Sequence, residues 1–227
     1  MRRIILTMML LLGSLVSLWA EGTKDDVEVV NKYQVAMDFQ IKLMKGLKLN
    51  IEPELRFEDG YDKFHLNGGI TYKSFGCIYW GATYRIVVDR VESTSSTTSF
   101  MSSDEYDSDI YHRYAFDVTY KDKFKRFTPS FRVRYNNFSD DDVDNKAFMR
   151  YRAKVDYDIK KCKFTPFVSV EGYQRLEDNL LYKMRYSTGF DLKTGEKSSL
   201  ALDYKFDFYC LKYKNANIFS LGYKIKL

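Results

Sequence analysis

Apolar and polar residues alternate along most of this chain, and this period of two constrains its fold more than any other feature. In the segment YQVAMDFQIKL, residues 33–43, every second side chain is apolar. Successive side chains of a β-strand point to opposite faces, so the pattern predicts strands with one apolar face. Such runs lie at 33–43, 47–58, 63–74, 78–90, 109–121, 127–138, 147–159, 164–174, 181–192, 198–210 and 218–227.

The composition favours an all-β fold and argues against other classes. Aromatic residues make up 17% of the chain, with nineteen Tyr and seventeen Phe, and aromatic side chains favour strands. The formal net charge is +5, with acidic and basic residues interspersed. A nucleic-acid-binding protein needs a concentrated basic face instead, so we expect no nucleic-acid partner.

The first twenty residues have the organisation of a secretory signal peptide. Arg2 and Arg3 precede an apolar run, Ile4 to Trp19, and Ala20 is a small residue before a polar segment. We expect cleavage after Ala20, with an uncleaved membrane anchor as the alternative. The remaining residues, 21–227, are enough for one domain, which we expect to be a β-barrel.

The tripeptide Phe-Thr-Pro occurs twice, starting at Phe127 and at Phe164, each time after a basic turn and before an alternating run. Proline lacks an amide donor and is tolerated in the first residues of a strand. Each copy therefore predicts the start of a strand. The spacing corresponds to one pair of strands with its turn and loop.

Alternation does not say whether the apolar face points inward or outward. Three features favour an apolar exterior against lipid: the export signal, runs of about 10–13 residues, and short basic turns that alternate with longer or more acidic loops. The sequence therefore predicts a transmembrane, antiparallel, up-and-down β-barrel in the outer membrane of a Gram-negative bacterium. A soluble all-β domain is the alternative.

Strand number is harder to predict, because eleven runs are visible while single-chain bacterial barrels have even numbers. The order of turns makes the first run descend, so an ascending strand should precede it. Residues 25–32, DDVEVVNK, are the material available for that strand. We expect twelve strands, with ten as the alternative.

Charged residues fall on the face opposite the apolar one, so in a membrane barrel they line the lumen. They either pair and fill it or line a narrow polar pore. The candidate lining residues are Arg132, Arg134, Arg150, Arg152, Lys154, Asp156, Glu171 and Arg185, joined by Asp203, Lys205, Glu52, Glu54 and Arg56. His65 should also face the lumen, and His112 should face outward near the outer rim.

An outer-membrane enzyme and a surface-exposed binding barrel are the alternative functions. Neither histidine has the serine two residues later that a phospholipase-like pair needs. An omptin-like protease needs acidic pairs and an Asp-His pair at the outer rim; His112 is close in sequence to Asp107 and Asp109, but one histidine beside an acidic loop is usually incidental. A binding barrel would act through the loop at 91–108. Cys77, Cys162 and Cys210 lack a metal-binding spacing, so no metal site is predicted. We expect no enzymatic activity, and no catalytic residue or cofactor is predicted.

Four segments together resemble a family of bacterial outer-membrane β-barrel proteins defined by a domain of unknown function. They are LKLNIEPELRF (47–57), FMRYRAKVDYDIKKCKFTPFVSVEGY (148–173), YKMRYSTGFDLK (182–193) and FSLGYKIKL (219–227). Arg56, Arg150 and Arg152 match positions where that family often has arginine. The resemblance implies a small exported barrel and assigns no activity, catalytic residue or cofactor.

The expected partners follow from this location. Outer-membrane lipid would surround the barrel, and the barrel-assembly machinery would insert it. The apolar face of the final run would be the assembly signal, and it consists of Phe219, Leu221, Tyr223, Ile225 and Leu227.

Overall fold

A computed structural model describes residues 28–58, 61–91, 107–137, 147–210 and 214–227. The regular secondary structure of these residues is entirely β-strand, and eleven strands form one closed barrel. The strands are β1 Glu28–Met44, β2 Leu47–Glu58, β3 Tyr61–Lys73, β4 Ile78–Val91, β5 Asp107–Lys121, β6 Phe127–Asn136, β7 Phe148–Tyr157, β8 Phe164–Arg175, β9 Leu181–Lys193, β10 Ser198–Tyr209 and β11 Lys214–Lys226.

The barrel closes between its first and last strands. Every strand pairs antiparallel with the next in the chain, whereas β1 and β11 pair parallel, from Glu28 opposite Lys214 to Gln40 opposite Lys226. Closure leaves no edge strand with unpaired amides, which is the requirement for strands in lipid. An odd number of strands forces this seam, because the first and last strands then run in the same direction.

Eleven strands correct the expected number of twelve and its alternative of ten. Of the segment 25–32 expected to form the extra strand, the described residues Glu28 to Lys32 instead lengthen β1 and continue its ladder with β11. The parallel seam also corrects the purely antiparallel arrangement. The eleven alternating runs each correspond to one strand, so the element assignment is confirmed. The strand starts at the two Phe-Thr-Pro copies are confirmed too, since β6 begins at Phe127 and β8 at Phe164.

The connections between strands form two rims. The turn rim holds the connections at 45–46, 74–77, 122–126, 158–163 and 194–197. The loop rim holds those at 59–60, 92–106, 137–147, 176–180 and 210–213. The predicted difference in length rests on two connections, 92–106 and 137–147, because the other three are as short as the turns.

A two-residue turn joins β1 to β2 and needs its glycine. Gly46 has a φ of +87°, in the left-handed region, and its carbonyl accepts a 2.7 Å hydrogen bond from the Lys73 amide. A Cβ at this position would lie 3.1 Å from the Lys73 carbonyl oxygen. Glycine therefore permits both the turn and its contact with the next hairpin.

The outward face of the barrel is apolar. Alternate residues of each strand point away from the lumen, and large side chains among them are exposed, such as Trp80 at 53%, Phe116 at 57% and Phe219 at 45%. Among the outward positions whose side chains the structure describes, none carries Asp, Glu, Lys or Arg. His112 is outward and His65 is buried inside, and both orientations were predicted.

The inward face is polar along most of its length and apolar at one end. The buried cluster Phe148, Tyr173, Tyr182, Tyr209 and Ala216 lies where β7, β9 and β11 begin and β8 and β10 end, which is the loop rim. None of the described residues belongs to a helix long and apolar enough to cross a membrane.

Candidate functional site: the charged lumen

The candidate lumen residues share the inward register, as the alternation predicts. Arg132 and Arg134 are on β6, Arg150 and Arg152 on β7, and Glu171 on β8. Adjacent strands place these five residues in register on one wall of the barrel. Because all five side chains point inward, they form one electrostatic cluster.

Glu171 is the central acceptor of this wall. Its Oε1 lies 2.9 Å from Arg132 Nη2, and its Oε2 lies 3.1 Å from Arg150 Nη2. The Tyr173 hydroxyl donates to Oε2 at 3.2 Å and accepts from Arg150 Nη2 at 2.9 Å. One buried carboxylate therefore connects three strands through charge-assisted hydrogen bonds.

Arg134 has a different partner, on the neighbouring strand β5. Its Nη2 and Nε lie 2.7 and 3.1 Å from Asp117 Oδ1. Gly81 on β4 makes room for that carboxylate, because a Cβ there would lie 2.7 Å from Asp117 Oδ2. The glycine thus positions the acceptor of Arg134 from two strands away.

Arginines oppose one another on this wall. Arg132 lies directly opposite Arg152, and Arg134 lies directly opposite Arg150. Like charges directly across a strand pair are destabilising. Arg152 makes no hydrogen bond or ion pair with any residue that the structure describes, and the Nε of Arg132 is buried without a partner there. Among the described residues, the carboxylates that pair with these four guanidiniums are Glu171 and Asp117, so positive charge exceeds negative charge within this described group.

A buried ion pair lies next to the aromatic cluster at the loop rim. Lys183 Nζ is 2.9 Å from Asp207 Oδ2, and both side chains are 1% exposed. Arg185 also donates to Asp207, at 2.5 and 2.6 Å. The Lys183 ammonium lies 4.6 Å from the ring centroid of Tyr173 and 5.0 Å from that of Tyr209. These cation–π contacts join the charged wall to the aromatic cluster.

Aromatic packing narrows the lumen at the loop rim. The rings of Phe148 and Tyr182 meet edge to face, with centroids 5.4 Å apart, and those of Tyr182 and Tyr209 do so at 5.6 Å. Tyr182 occupies an irregular position in β9, where the register with β8 shifts between Tyr173 and Gln174. That shift turns an extra large side chain inward.

The opposite wall carries its own polar network. Arg56 Nε lies 2.6 Å from Glu54 Oε1, and Arg85 Nε lies 2.5 Å from Asn67 Oδ1. Asn67 in turn donates to Glu52 at 3.2 Å, and Arg85 is 3.4 Å from the His65 ring nitrogen Nδ1. His65 is therefore part of this lumen network.

Further polar contacts continue toward the turn rim. Lys154 Nζ is 2.9 Å from Asp156 Oδ1, and Lys205 donates to Gln34 at 3.0 Å and to Ser220 at 2.9 Å. Asp203 shares the inward face of β10 with Lys205. The lumen is polar from the aromatic cluster to the turn rim.

Among the charged members described above, sequence reasoning missed Asp117, Lys183, Asp207 and Arg85. The register could have found them, since Asp207 alternates with Asp203 and Lys205, and Arg85 with the buried Val87. The alternation did not predict the aromatic cluster, because the register shift at Tyr182 interrupts the alternation in β9.

A small ion-paired hairpin lies at the loop rim between β8 and β9. Arg175 Nε donates to Asp178 Oδ2 at 2.9 Å, and the Leu180 amide donates to Asp178 Oδ1 at 3.1 Å. The Arg175 hydrogen bond is the main cause that lowers the pKa of Asp178 to about 2. This carboxylate therefore stays ionised in mildly acidic solution.

Other candidate groups lie apart from the lumen. On the outer face, the Tyr84 hydroxyl and His112 Nδ1 are 2.7 Å apart. Cys77, Cys162 and Cys210 are free, and burial raises the pKa of the Cys77 and Cys210 thiols.

Within the described part of the chain, no three His, Cys, Asp or Glu residues group closely enough to hold a metal ion. Most of the loop at 91–108 lies outside the described residues.

The final strand presents the predicted assembly residues outward. Phe219, Leu221, Tyr223 and Ile225 alternate along the outer face of β11, and Leu227 follows the strand. The Leu227 amide donates to the Gln40 carbonyl at 2.8 Å, which extends the seam between β11 and β1.

Comparison with known proteins gives the family of the chain. No curated protein matches it. The family model described as "Protein of unknown function (DUF2490)" matches residues 33–209, which span β1 to β10 and include the lumen cluster. The predicted resemblance to a family of unknown function is confirmed, and the chain belongs to the DUF2490 family.

Proposed function

We propose that this protein is an outer-membrane β-barrel, exported by the signal peptide at residues 1–20 and inserted by the barrel-assembly machinery with β11 as its recognition strand. The observation that carries the proposal is the distribution of charge. Outward positions whose side chains are described lack Asp, Glu, Lys and Arg, whereas the inward face holds the ion pairs. A water-soluble barrel would instead have a polar exterior and an apolar interior.

The size of the apolar exterior supports the same proposal. Exposed large apolar side chains occur on the outer face of all eleven strands, from Val29 on β1 to Leu221 on β11. Monomeric soluble proteins rarely expose contiguous apolar patches beyond a few hundred Å². The strands have ten or more residues each, enough to cross the hydrocarbon core at a tilt.

We further propose that the lumen is a narrow polar passage that the aromatic cluster closes at the loop rim. Tyr182, Phe148 and Tyr209 pack edge to face there, beside the buried Lys183–Asp207 pair. Below them the ion pairs of Glu171 and Asp117 occupy the interior. In this state the protein acts as a structural barrel, and displacing the cluster would convert it into a pore.

Single-channel recording in planar lipid bilayers tests the closed lumen. Purified wild-type protein should insert and show little or no steady conductance. Tyr182→Ala should raise the conductance, because it removes the central ring of the cluster. Tyr186→Ala is the matched control, since Tyr186 is an outward aromatic residue of the same strand, and it should conduct like the wild type. A large steady conductance of the wild type, or no difference between the two variants, would contradict the proposal.

A further inference from the structure

We propose that the arginine wall of the lumen is a binding site for a small dianionic oxyanion of the phosphate class. The wall consists of Arg132, Arg134, Arg150 and Arg152. The inference rests on the proposed function in that the site lies inside the barrel, on its polar face.

The first argument is charge balance. Four guanidiniums point into one section of the lumen, and the described carboxylates that pair with them are Glu171 and Asp117. Counting these described groups alone, the wall has two more positive than negative charges in a half-buried interior. A dianion would neutralise that excess, whereas a monovalent ion would leave half of it.

The second argument is that facing arginines destabilise the barrel when no ligand is bound. Arg132 opposes Arg152 and Arg134 opposes Arg150 on the same pair of strands. Each opposition is unfavourable, and a lumen that served only to fill space would be more stable with acidic or neutral residues at two of these positions. An anion bound in the lumen beside these arginines would offset both repulsions.

The third argument is the geometry of the available donors. Arg152 makes no hydrogen bond or ion pair with the described residues. Arg132 donates from Nη2 to Glu171, and its buried Nε has no hydrogen-bond partner among the described residues. A guanidinium presents its N–H groups as a planar fork that fits the oxygens of phosphate in pairs. The wall therefore offers one complete fork and an adjacent unused donor on the opposing strand.

Direction of access follows from the fold. In the proposed closed state the aromatic cluster closes the lumen at the loop rim, and Arg152 lies on β7 between that cluster and the turn rim. The lumen on the turn-rim side of Arg152 is lined by polar pairs such as Lys154 with Asp156. We therefore expect the anion to enter from the turn rim, which the proposed orientation places in the periplasm.

Calorimetric titration of inorganic phosphate into the folded full-length mature protein in non-ionic detergent tests this site. Sodium chloride at matched ionic strength is the blank. The wild type should bind phosphate saturably, and Arg152→Gln should weaken binding by about tenfold or more, the effect of losing hydrogen bonds to a charged group. Lys48→Gln is the matched control, because Lys48 is an inward cation of β2 outside the arginine wall, and its loss should leave the affinity nearly unchanged.

A stability measurement separates binding from a purely structural role of Arg152. Without phosphate, Arg152→Gln should unfold at a higher urea concentration than the wild type, since it removes one like-charge opposition. At a given concentration, phosphate should stabilise the wild type more than the variant. The site would be overturned if the wild type showed no saturable binding, or if Arg152→Gln bound phosphate as tightly as the wild type. It would also be overturned if Lys48→Gln weakened binding as much as Arg152→Gln, or if Arg152→Gln destabilised the protein in phosphate-free buffer.

These outcomes are distinguishable from failure of the proposed function. A protein that fractionates in the outer membrane and binds no phosphate refutes the site alone. A protein that is soluble in the periplasm refutes the membrane barrel, whatever its affinity for phosphate.

Discussion

Arg132 and Arg152 lie directly opposite each other on β6 and β7, and Glu171 pairs with the first at 2.9 Å while the second has no ion pair with the described residues. Two neighbouring guanidiniums of the same sign and register are unfavourable without a counter-ion. Positions where a sequence departs from the most stable choice are often functional ones. This relationship is why we place the function of the lumen at the arginine wall.

Because the exterior is apolar, an outward charge should lower the free energy of unfolding by an amount that depends on its depth in the bilayer. Leu202 lies near the middle of β10 and faces outward, so Leu202→Arg in a bilayer should destabilise the barrel by about 2–4 kcal/mol. Leu181→Arg makes the same change at the loop-rim end of β9, where the cost should fall to about 0–1 kcal/mol. Urea unfolding in lipid vesicles measures both. Equal costs at the two positions would be evidence against a membrane around β10.

The buried pair at the loop rim predicts an asymmetry between its two partners. Asp207→Asn leaves Lys183 and Arg185 without their shared carboxylate, so it should cost roughly 3–5 kcal/mol of unfolding free energy. Lys183→Met keeps the Arg185–Asp207 pair and should cost clearly less. Unfolding curves of the two variants and the wild type decide this. A Lys183→Met variant as unstable as Asp207→Asn would show that Arg185 does not stabilise the carboxylate.

The contact between Gly81 and Asp117 predicts that a single methyl group disrupts an ion pair. Gly81→Ala places a Cβ 2.7–2.8 Å from the three carboxyl atoms of Asp117, so the carboxylate must move away from Arg134. We expect a destabilisation of about 1–3 kcal/mol, typical of overpacking. Gly68→Ala is the control, because nothing lies within 4 Å of its Cβ.

A double-mutant cycle identifies the cause of the Gly81→Ala effect. In an Asp117→Ala background the penalty should disappear, since the atoms that the methyl group displaces are gone. Measuring the unfolding free energies of the four proteins tests this. A penalty that persists in that background would locate the strain elsewhere.

The hairpin between β8 and β9 predicts a pH dependence at the loop rim. Because the hydrogen bond from Arg175 lowers the pKa of Asp178 to about 2, the contribution of the ion pair to stability is fully present above the ordinary aspartate pKa. It should be lost as the pH falls from about 4 through about 2. Carboxyl-carbon NMR titration of Asp178 should show this low pKa, and Arg175→Gln should raise it toward about 3.9. An ordinary pKa in the wild type would contradict the hairpin geometry.

The sequence predicted the strands well because alternation is a local property. Each of the eleven runs became a strand, and the starts at Phe127 and Phe164 agree to the residue. The inward or outward direction of His65 and His112 followed from the same register.

What the sequence did not predict depends on relations between distant strands. The parallel seam joins β1 to β11, and nothing local in residues 28–32 distinguishes a longer first strand from a separate one. The aromatic cluster depends on the register shift between Tyr173 and Gln174, which turns Tyr182 inward against the alternation. The partners of Glu171 also had to be seen in space, since Arg132 is on β6, two strands away from it.

The most direct test of the account is heat-modifiable gel migration of the mature protein extracted from isolated outer membranes. A closed barrel that spans lipid should appear in that fraction, and its mobility on a detergent gel should change when the sample is boiled. A protein that is found in the soluble periplasmic fraction and migrates the same with and without boiling would contradict it.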